Sequence, residues 1–566
     1  MATIIVQPGG PRAGKQRVDL TAIAHNRLML LLILFMVITA VVILRLTWVG
    51  IFAGGGRGGD VMSGVPARAD IVDRNGVPLA RTMDAYSIAV RPSKLISDPA
   101  DLARKLHEIF PDEPEAAFRK KLTGRGWAYL RRRALPEEVA AVNALGEIGI
   151  EFPREKERLY PQRTLAAHIL GFAPNADGKG GMGVEAAFND RLTDPALRGQ
   201  PFTMSIDSRV QGALESELYA QLVQTRAKGA GGVILDANTG EVIAMASIPV
   251  FDPNKLENYA GKTCSESPLC NHMVQARYEL GSAFKPLSIG AAMDRGIVTS
   301  MSKTYDATAP LAVAGFRIKD DHPLGRWINV PEILVHSSNI GTARIADQMG
   351  AEPLQHLFRE LHFNDRAPIE LNERAGTLWP ANWGRITTLT VSYGHGIAVT
   401  PLHLASAYAA LVNGGLWRPA TLRKLKAEEV PEGRRVFSAA TSARMRQLLR
   451  MIVAAGTGRS ADAKGYRVGG KTGSAEKPQE GRYNKTSLVT TFASAFPMDN
   501  PRYVVLVTMD EATGQYGLRT AAWTAAPVVK RVVERTGPML GVLPDERRDV
   551  DISDLMPLLH GDKEKE

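Results

Sequence analysis

The sequence predicts a multidomain α+β protein with a single transmembrane helix near its amino terminus. Three observations support this fold class: a length of 566 residues, one long apolar segment without charges, and strand-like segments on both sides of a helix-rich region. At about 100–200 residues per domain, the chain is long enough for two or more folded units. Apolar residues make up 45% of the chain and charged residues 23%, which is the balance of a globular protein and not of a disordered one.

The apolar segment runs from Leu28 to Leu44 without a charged residue. As a helix it covers about 25 Å, which is close to the thickness of the hydrocarbon core of a bilayer. Apolar residues resume after Arg45 and continue to Phe52, and both Arg45 and Trp48 are residue types that suit the membrane–water interface. The sequence therefore predicts a transmembrane helix over residues 28–52.

Basic residues dominate the segment before this helix, since Arg12, Lys15, Arg17 and Arg27 are opposed only by Asp19. By the positive-inside rule, the short amino terminus is cytoplasmic and the bulk of the chain lies on the extracytoplasmic (periplasmic) side of the cell (inner) membrane. The alternative is a cleaved signal peptide, which has a shorter apolar region of about 7–15 residues and a small-x-small cleavage site. The longer segment and the lack of a clear cleavage site favour an uncleaved anchor.

The charge and the cysteines narrow the range of partners. A net charge of +10 suits an anionic surface or polymer, but also a domain that is basic without consequence. The basic residues are scattered and resemble no nucleic-acid motif, so no nucleic-acid partner is expected. The two cysteines, Cys264 and Cys270, are either paired, as in exported proteins, or free thiols. With His272 they are too few for a zinc site, and we expect neither a metal nor a cofactor.

Strand patterns at both ends of the second half predict one antiparallel sheet with helices packed on it. In the first half, Asn75-Gly76 signals a tight turn and a helix begins near Pro136. The predicted strands are Gly232–Asp236, Glu241–Ser247, Arg467–Ser474, Ser487–Phe496 and Tyr503–Asp510, and the helix-rich stretch between them is Phe284–Asn413. The predicted organisation is a cytoplasmic tail (1–27), the transmembrane helix (28–52), a glycine-rich linker (53–64), a non-catalytic module (65–228), a catalytic domain (229–548) and a flexible tail (549–566).

The first candidate catalytic motif is Ser282-Ala-Phe-Lys285, which precedes Pro286 and a helical pattern. One helical turn brings positions i and i+3 to the same face, so the lysine amine can reach the serine hydroxyl. A lysine can activate a serine as its base only if burial or a positive neighbour lowers the lysine pKa. The motif alone is weak, because Ser300–Lys303 and Ser474–Lys477 match it as well.

The second motif is Ser337-Ser338-Asn339, which we expect in a loop between helices of the helix-rich stretch. Its serine and asparagine could simply cap a helix that begins near Ile340. In the functional interpretation, the Ser337 hydroxyl passes protons between Lys285 and the reacting amine, and the Asn339 amide holds the peptide bond of a substrate.

The third motif, Lys471-Thr472-Gly473-Ser474, contains the only Lys-Thr-Gly in the chain. It could be a glycine-rich turn with a solvated lysine. Functionally, the lysine and the hydroxyls suit a substrate carboxylate, and the glycine lets the backbone approach the substrate closely. The Lys471 charge would also help to keep Lys285 neutral.

Together and in this order, the three motifs are a known signature of penicillin-binding proteins and class A β-lactamases. Nearly the whole chain resembles a class B penicillin-binding protein, and the FtsI type, which is specific to division, more than its elongation-specific relatives. The segments that carry the resemblance are RADIVDRNGVPLA (68–80), RLYPQRTLAAHILGF (158–172), GGMGVEAAFNDRL (180–192), VILDANTGEVIAMASIPVFDPN (233–254), YELGSAFKP, HSSNIGTA, SYGHGIAVTPLHLASAYAALVNGG, GGKTGSAEKP and NPRYVVLVTMDE.

The resemblance implies an elongated pedestal (dimerisation-type) module, then a transpeptidase domain that attacks D-Ala-D-Ala stems and reacts covalently with β-lactams. It implies as partners the stem peptides and lipid-linked precursor strands of peptidoglycan, an FtsW-type glycan polymerase and other divisome membrane proteins. The roles that it implies are Ser282 as nucleophile, Lys285 as base, Ser337 and Asn339 as the middle motif, Lys471, Thr472 and Ser474 at the substrate carboxylate, and the backbone N–H groups of Ser282 and Ser474 as oxyanion hole.

Two residues depart from the family pattern, since Leu280 stands where proline is common and Ser474 where threonine is usual. Neither change removes a reactive group. Three other functions use related motifs: a β-lactamase, a D,D-carboxypeptidase, and a non-enzymatic sensor of stem peptides or β-lactams. The long amino-terminal module and the anchor argue against the first two, and the intact reactive side chains argue against the third.

Overall fold

The computed structural model describes residues 20–52, 67–174, 178–256, 264, 267–479, 482–514 and 517–560. Two compact units are present, Met1–Pro66 and Ala67–Glu566. In the first unit, helix α1 spans Leu20–Phe52 and contains an apolar stretch, Arg27–Leu44, with a mean hydropathy of 2.9. This helix is long and apolar enough for a single membrane pass, and it includes the predicted segment 28–52. The predicted linker, 53–64, lies outside the described residues.

The second unit begins with a small mixed module. Asn75-Gly76 forms the predicted tight turn, in which Gly76 has a φ of +86° and its N–H donates to the Asp73 carbonyl oxygen at 3.0 Å. A helix starts at Pro136, as predicted. The strands of this module are β1 (Ile71–Val72), β2 (Pro78–Val90), β3 (Ala128–Ala134), β4 (Ile150–Glu151), β5 (Arg154–Leu159) and β6 (Phe202–Thr203). Its helices are α2 (Pro99–Ile109), α3 (Glu115–Leu122), α4 (Pro136–Asn143), α5 (Ala167–Leu170), α6 (Gly183–Ala187) and α7 (Asn189–Thr193).

The long strand β2 organises the sheet of this module. It pairs antiparallel with β1, β3, β4 and β5, and β1 pairs parallel with β6. One buried ion cluster ties the module together: Arg68 and Arg158 both donate from Nε to the Glu185 carboxylate, at 2.5 and 2.7 Å, and all three side chains are fully buried.

The remaining elements form a larger α+β domain. Its strands are β7 (Gly229–Asp236), β8 (Val242–Ile248), β9 (Thr304–Asp306), β10 (Leu311–Val313), β11 (Phe316–Ile318), β12 (Trp327–Asn329), β13 (Leu416–Trp417), β14 (Arg434–Arg435), β15 (Gly469–Gln479), β16 (Arg482–Phe496) and β17 (Tyr503–Asp510). Its helices are α8 (Ser208–Thr225), α9 (Lys285–Asp294), α10 (Val330–Val335), α11 (Asn339–Met349), α12 (Ala351–Glu360), α13 (Arg385–Ser392), α14 (Pro401–Val412), α15 (Ala439–Ala455), α16 (Ala521–Thr524) and α17 (Ala526–Thr536).

Five strands form the central sheet in the order β15-β16-β17-β7-β8, and every pair is antiparallel. The predicted sheet built from both ends of the domain is therefore confirmed. Strand β17 is buried along its whole length, because alternate side chains face two different layers of helices. Val504 and Leu506 share a core with α14, whereas Val505 and Val507 share a core with α8 and α17.

Helix α8 precedes residue 229, where the sequence analysis places the start of the catalytic domain. Val210, Leu214 and Leu218 of this helix nevertheless pack in the same core as Ile234 of β7. The helix therefore belongs to the layer that covers the sheet. The other predicted domain bounds stay predictions.

The carboxyl-terminal segment corrects one expectation. Residues 549–566 are polar and were expected to fray, but the described part, 549–560, is held against the domain. Leu555 is fully buried, Asp549 pairs with Arg450 at 2.8 Å, and the Leu558 carbonyl oxygen accepts from Asn329 Nδ2 at 2.7 Å. A few apolar and charged contacts therefore outweigh the polar composition of the tail.

The two cysteines, whose state the sequence left open, form a disulfide. The Cα atoms of Cys264 and Cys270 lie 5.1 Å apart, within the usual range for a bridge.

Candidate active site

Ser282 lies in a 3-10 turn, Gly281–Phe284, that leads directly into helix α9. The predicted position of the serine at a helix start is confirmed. Ser282 is half-buried, whereas Lys285, one turn further on, is fully buried. Pro286 occupies the first turn of α9, where its missing N–H costs no helical hydrogen bond.

Three glycines let backbone segments approach the serine turn closely. A Cβ at Gly473 would stand 2.2 Å from the Leu280 carbonyl oxygen, and one at Gly394 would stand 2.2 Å from the Gly281 carbonyl oxygen. Gly281 itself has a φ of +55° and faces the Ser474 carbonyl oxygen. The sequence predicts that Gly473 lets the backbone approach the substrate, but in the structure the absent side chain makes room for the serine turn.

Ser337 lies between α10 and α11, where the sequence placed it, and brings the three motifs together. Its Oγ accepts hydrogen bonds from Lys285 Nζ at 3.2 Å and from Lys471 Nζ at 2.9 Å. Lys285 Nζ also donates to the Ser337 carbonyl oxygen. A hydroxyl has two acceptor positions and one hydrogen. Because the two lysines donate to the Ser337 Oγ, the Ser337 hydroxyl can still donate its own hydrogen to a third group.

Both lysines have lowered pKa values. Burial lowers the pKa of Lys285 to about 7, against the opposing charges of Asp320 and Asp321. Burial lowers the pKa of Lys471 well below its usual range, and the nearby Lys285 lowers it further. Burial, and not the Lys471 charge that the sequence suggests, is the leading cause of the lowered pKa of Lys285.

Neighbouring residues of the middle motif make different contacts. Ser338 is the cap of helix α11, since its Oγ accepts from the Gly341 N–H at 2.9 Å. The capping alternative is therefore right for Ser338, whereas Ser337 faces the lysines. Asn339 is half-buried, and its Nδ2 donates to the Lys319 carbonyl oxygen at 2.9 Å.

The third motif lies on β15, the edge strand of the sheet, instead of in a solvated turn. Lys471 is fully buried and also donates to the Thr472 Oγ1 at 3.1 Å. Thr472 Oγ1 contacts Thr457 Oγ1 at 3.1 Å, and Ser474 Oγ accepts from the Ala521 N–H at 3.1 Å. The hydroxyls of this strand are thus oriented by groups from the next layer.

Sequence reasoning missed three contributors to this site: Asp320, Gly394 and Thr457. In the sequence, Asp320 is marked only by the acidic pair Asp320-Asp321, and Gly394 only by the segment SYGHG (392–396). Nothing in the local sequence marks Thr457. Among the described residues, no group of three or more histidine, cysteine or acidic side chains could hold a metal ion.

Comparison with known proteins identifies the family to which this chain belongs. A family described as the penicillin-binding protein transpeptidase domain matches residues 230–534, more than half of the chain. The chain belongs to the penicillin-binding proteins. In this penicillin-binding protein, residues 63–193 match the penicillin-binding protein dimerisation domain, which covers most of the first module.

Relatives and solved structures agree with this assignment. The penicillin-binding protein is 40% identical over 509 residues to a probable peptidoglycan D,D-transpeptidase FtsI of Caulobacter vibrioides, with 88% of this chain and 85% of the relative covered. It is 29% identical to the peptidoglycan D,D-transpeptidase FtsI of Escherichia coli K12, with 85% and 84% covered. A penicillin-binding protein 3 of Mycobacterium tuberculosis, solved with aztreonam, has a TM-score of 0.66 at 23% identity and covers 85% of this chain and 98% of its own.

The class B resemblance is thus confirmed, with both modules of that class present. The structure brings the predicted residues of all three motifs to one place. Their individual roles, including the oxyanion hole of Ser282 and Ser474, stay predictions.

Proposed function

We propose that this penicillin-binding protein is a peptidoglycan D,D-transpeptidase that cross-links stem peptides through an acyl-enzyme on Ser282. The observation that carries the proposal is the Ser337 hydroxyl, which accepts hydrogen bonds from Lys285 and Lys471 beside the serine turn. A serine, a lysine with a pKa of about 7 and a second lysine on an edge strand are the parts that an amide-cleaving acyl transfer needs.

In the acylation step, neutral Lys285 accepts the proton of Ser282 as the serine Oγ attacks the carbonyl carbon between the last two D-alanines of a stem. The carbonyl oxygen becomes an oxyanion, which the backbone N–H groups of Ser282 and Ser474 stabilise. The C–N bond then breaks, and the proton passes from Lys285 through Ser337 to the leaving amine. Terminal D-alanine departs, and an ester remains on Ser282.

In the second step, the amine of another stem attacks the ester. Its surplus proton returns through Ser337 and Lys285 to the Ser282 oxygen as the ester bond breaks, and a new peptide bond joins the two stems. Lys471, Thr472 and Ser474 bind the carboxylate of the donor stem, and Asn339 holds its peptide bond. A β-lactam follows the first step but leaves a long-lived adduct.

The cellular setting is part of the same proposal. Relatives named FtsI favour septal cross-linking during division, with an elongation-type role as the alternative. Helix α1 then crosses the inner membrane once, with the amino terminus in the cytoplasm and the catalytic domain in the periplasm. The substrates are stem peptides on lipid-linked or polymerised strands, and the partners are an FtsW-type polymerase and other divisome membrane proteins. Depletion should produce filaments, whereas loss of rod shape would favour the elongation role.

The direct test is to react the full-length protein with a penicillin, measure the intact mass and map the modified peptide. We expect one stable adduct on Ser282, lost in Ser282→Ala. Ser300→Ala is a matched control, because Ser300 begins a second Ser-x-x-Lys motif and should be dispensable. Incubation with donor and acceptor stem peptides should then give cross-linked product.

Each competing function has its own result in this test. Rapid release of the adduct with β-lactam turnover would indicate a β-lactamase, and hydrolysed stems without cross-links would indicate a carboxypeptidase. A Ser282→Ala variant that still supported division would favour a non-enzymatic sensor.

A further inference from the structure

We propose that Asp320 is a positioning residue for acyl transfer, which fixes the loop that carries Ser337 and places a negative charge near Lys285. This inference rests on the proposed function. Asp320 lies just after β11, in a segment to which the sequence analysis gave no role.

Both oxygens of the Asp320 carboxylate accept hydrogen bonds from the start of helix α11, and this pair of contacts is called the Asp320 grip. Oδ2 accepts from Ser338 Oγ at 2.7 Å, and Oδ1 accepts from the Ile340 N–H at 2.9 Å. Since the first N–H groups of a helix lack internal partners and carry partial positive charge, an ionised carboxylate is well suited to this place. The Ser338 hydroxyl is thereby oriented, because it donates to Asp320 and accepts from the Gly341 N–H.

The residue beside Asp320 extends the same grip. The Lys319 carbonyl oxygen accepts from Asn339 Nδ2 at 2.9 Å. Residues 319–320 therefore hold Ser338, Asn339 and Ile340 in succession, which are the three residues that follow Ser337.

Ser337 needs such a hold, because its φ of +61° lies in the left-handed region that serine rarely adopts. A residue in that region keeps its conformation only when its surroundings impose it. The contacts of Ser337 with the two lysines depend on this conformation. Without the Asp320 grip, the loop can relax and move the Ser337 hydroxyl away from them.

Asp320 also acts through its charge. The two carboxylates that act on Lys285 are Asp320 and the exposed Asp321, and both raise the pKa of Lys285 against the effect of burial. Lys471 lies close by, and burial lowers its own pKa well below the usual range. Removal of the Asp320 charge should therefore lower the pKa of Lys285 further. Neutral Lys285, the active base, would then be present at lower pH.

The experiment compares wild type, Asp320→Ala, Asp320→Asn and Asp321→Asn in full-length form. The second-order rate of acylation by a fluorescent penicillin is measured from pH 5.5 to 8.5, together with the thermal midpoint and the fraction of protein labelled at completion. Asp320→Ala loses both the grip and the charge, and we expect its rate to fall at least about tenfold, as displaced catalytic groups do.

The two asparagine variants separate grip from charge. Asp320→Asn keeps an acceptor for the Ile340 N–H, so its acylation rate at the high-pH plateau should recover most of the rate that Asp320→Ala loses. The rising, acidic part of its pH–rate profile, here called the limb, should move to lower pH. Asp321→Asn removes a charge that makes no contact with α11, so we expect only the shift of the limb. A purely structural role for Asp320 would lower the thermal midpoint and the labelled fraction without moving the limb.

The proposal is overturned if Asp320→Asn shows the wild-type limb and Asp320→Ala the wild-type rate. If Asp320→Ala does not fold, the limb of Asp320→Asn decides alone. Failure of the proposed function is a separate result, because the wild-type protein would then form no adduct on Ser282.

Discussion

At the scale of single residues, two buried amines converge on one hydroxyl. Lys285 and Lys471 are both fully buried, and neither makes an ion pair among the described residues. Burial of an amine without a carboxylate partner is costly for the folded state and favours its neutral form. The site therefore holds an amine, Lys285, that can accept a proton near neutral pH, at the expense of stability.

Replacement of Lys285 should separate these two effects. In Lys285→Met the base is lost, so acylation by penicillin should fall to background. The free energy of unfolding should rise by about 1–4 kcal/mol near pH 7, as when buried charges give way to apolar side chains. Denaturant unfolding and adduct formation are the two measurements. A matched control is Lys303→Met, in the second Ser-x-x-Lys motif, which should leave the acylation rate unchanged. A destabilised Lys285→Met protein would contradict the burial argument.

At the scale of elements, the serine turn is held between the edge strand β15 and the segment after α13. The contact on the second side is between backbones, because the Gly281 N–H donates to the Gly394 carbonyl oxygen at 3.3 Å. Such an approach is open only to glycine, since any side chain at Gly394 meets the carbonyl of Gly281. The position of Ser282 therefore depends on a residue more than a hundred positions away.

Substitution of Gly394 tests this dependence. Gly394→Ala places a Cβ 2.2 Å from the Gly281 carbonyl oxygen, so the serine turn must move and acylation should fall at least about tenfold. Gly350→Ala is the matched control, because Gly350 has a similar φ, +82° against +84°, but open space around its Cβ. It should lower the thermal midpoint and leave the acylation rate unchanged. Equal rates in the two variants would show that the contact at Gly394 is unimportant.

The same scale shows what sequence patterns can and cannot predict. Ser282, Ser337 and Lys471 were placed correctly on a helix start, an interhelical loop and a strand, because each context follows from local residue patterns. Asp320 and Gly394 were missed, because their contacts join segments that only the tertiary fold brings together. The short motif around Gly394 was noticed, but nothing in its own residues indicates that it supports the serine turn.

At the scale of the whole molecule, the sheet of the catalytic domain and the charged cluster of the first module differ in how far the sequence predicts them. The sheet of the catalytic domain is covered by apolar helices on both faces, and its strand pattern made the sheet predictable from sequence. The first module also has an apolar core, which includes Phe110 and Phe118, and in addition it buries the charged cluster of Arg68, Arg158 and Glu185. Because charged side chains are rarely buried, composition does not predict this cluster.

Loss of the shared carboxylate should destabilise the first module. Glu185→Gln leaves two buried guanidinium groups without their charge partner, and we expect a loss of about 3–5 kcal/mol in the free energy of unfolding. Glu108→Gln, which breaks an exposed pair with Arg104, should cost less than about 0.5 kcal/mol. Thermal unfolding measures both. The acylation rate of folded Glu185→Gln should match wild type, and an equal stability of the two variants would argue against the cluster as a support of this module.

The most direct test of the central claim, that neutral Lys285 is the base for Ser282, is the pH dependence of acylation. Lys285 accepts a proton only when it is neutral, and its pKa of about 7 means that the neutral fraction grows as the pH rises through 7. The second-order rate of adduct formation by a penicillin, measured on folded protein from pH 5.5 to 8.5, should rise about tenfold per pH unit on the acidic side and level off above about pH 7. A rate that is constant across this range, or that falls as the pH rises, would contradict the account.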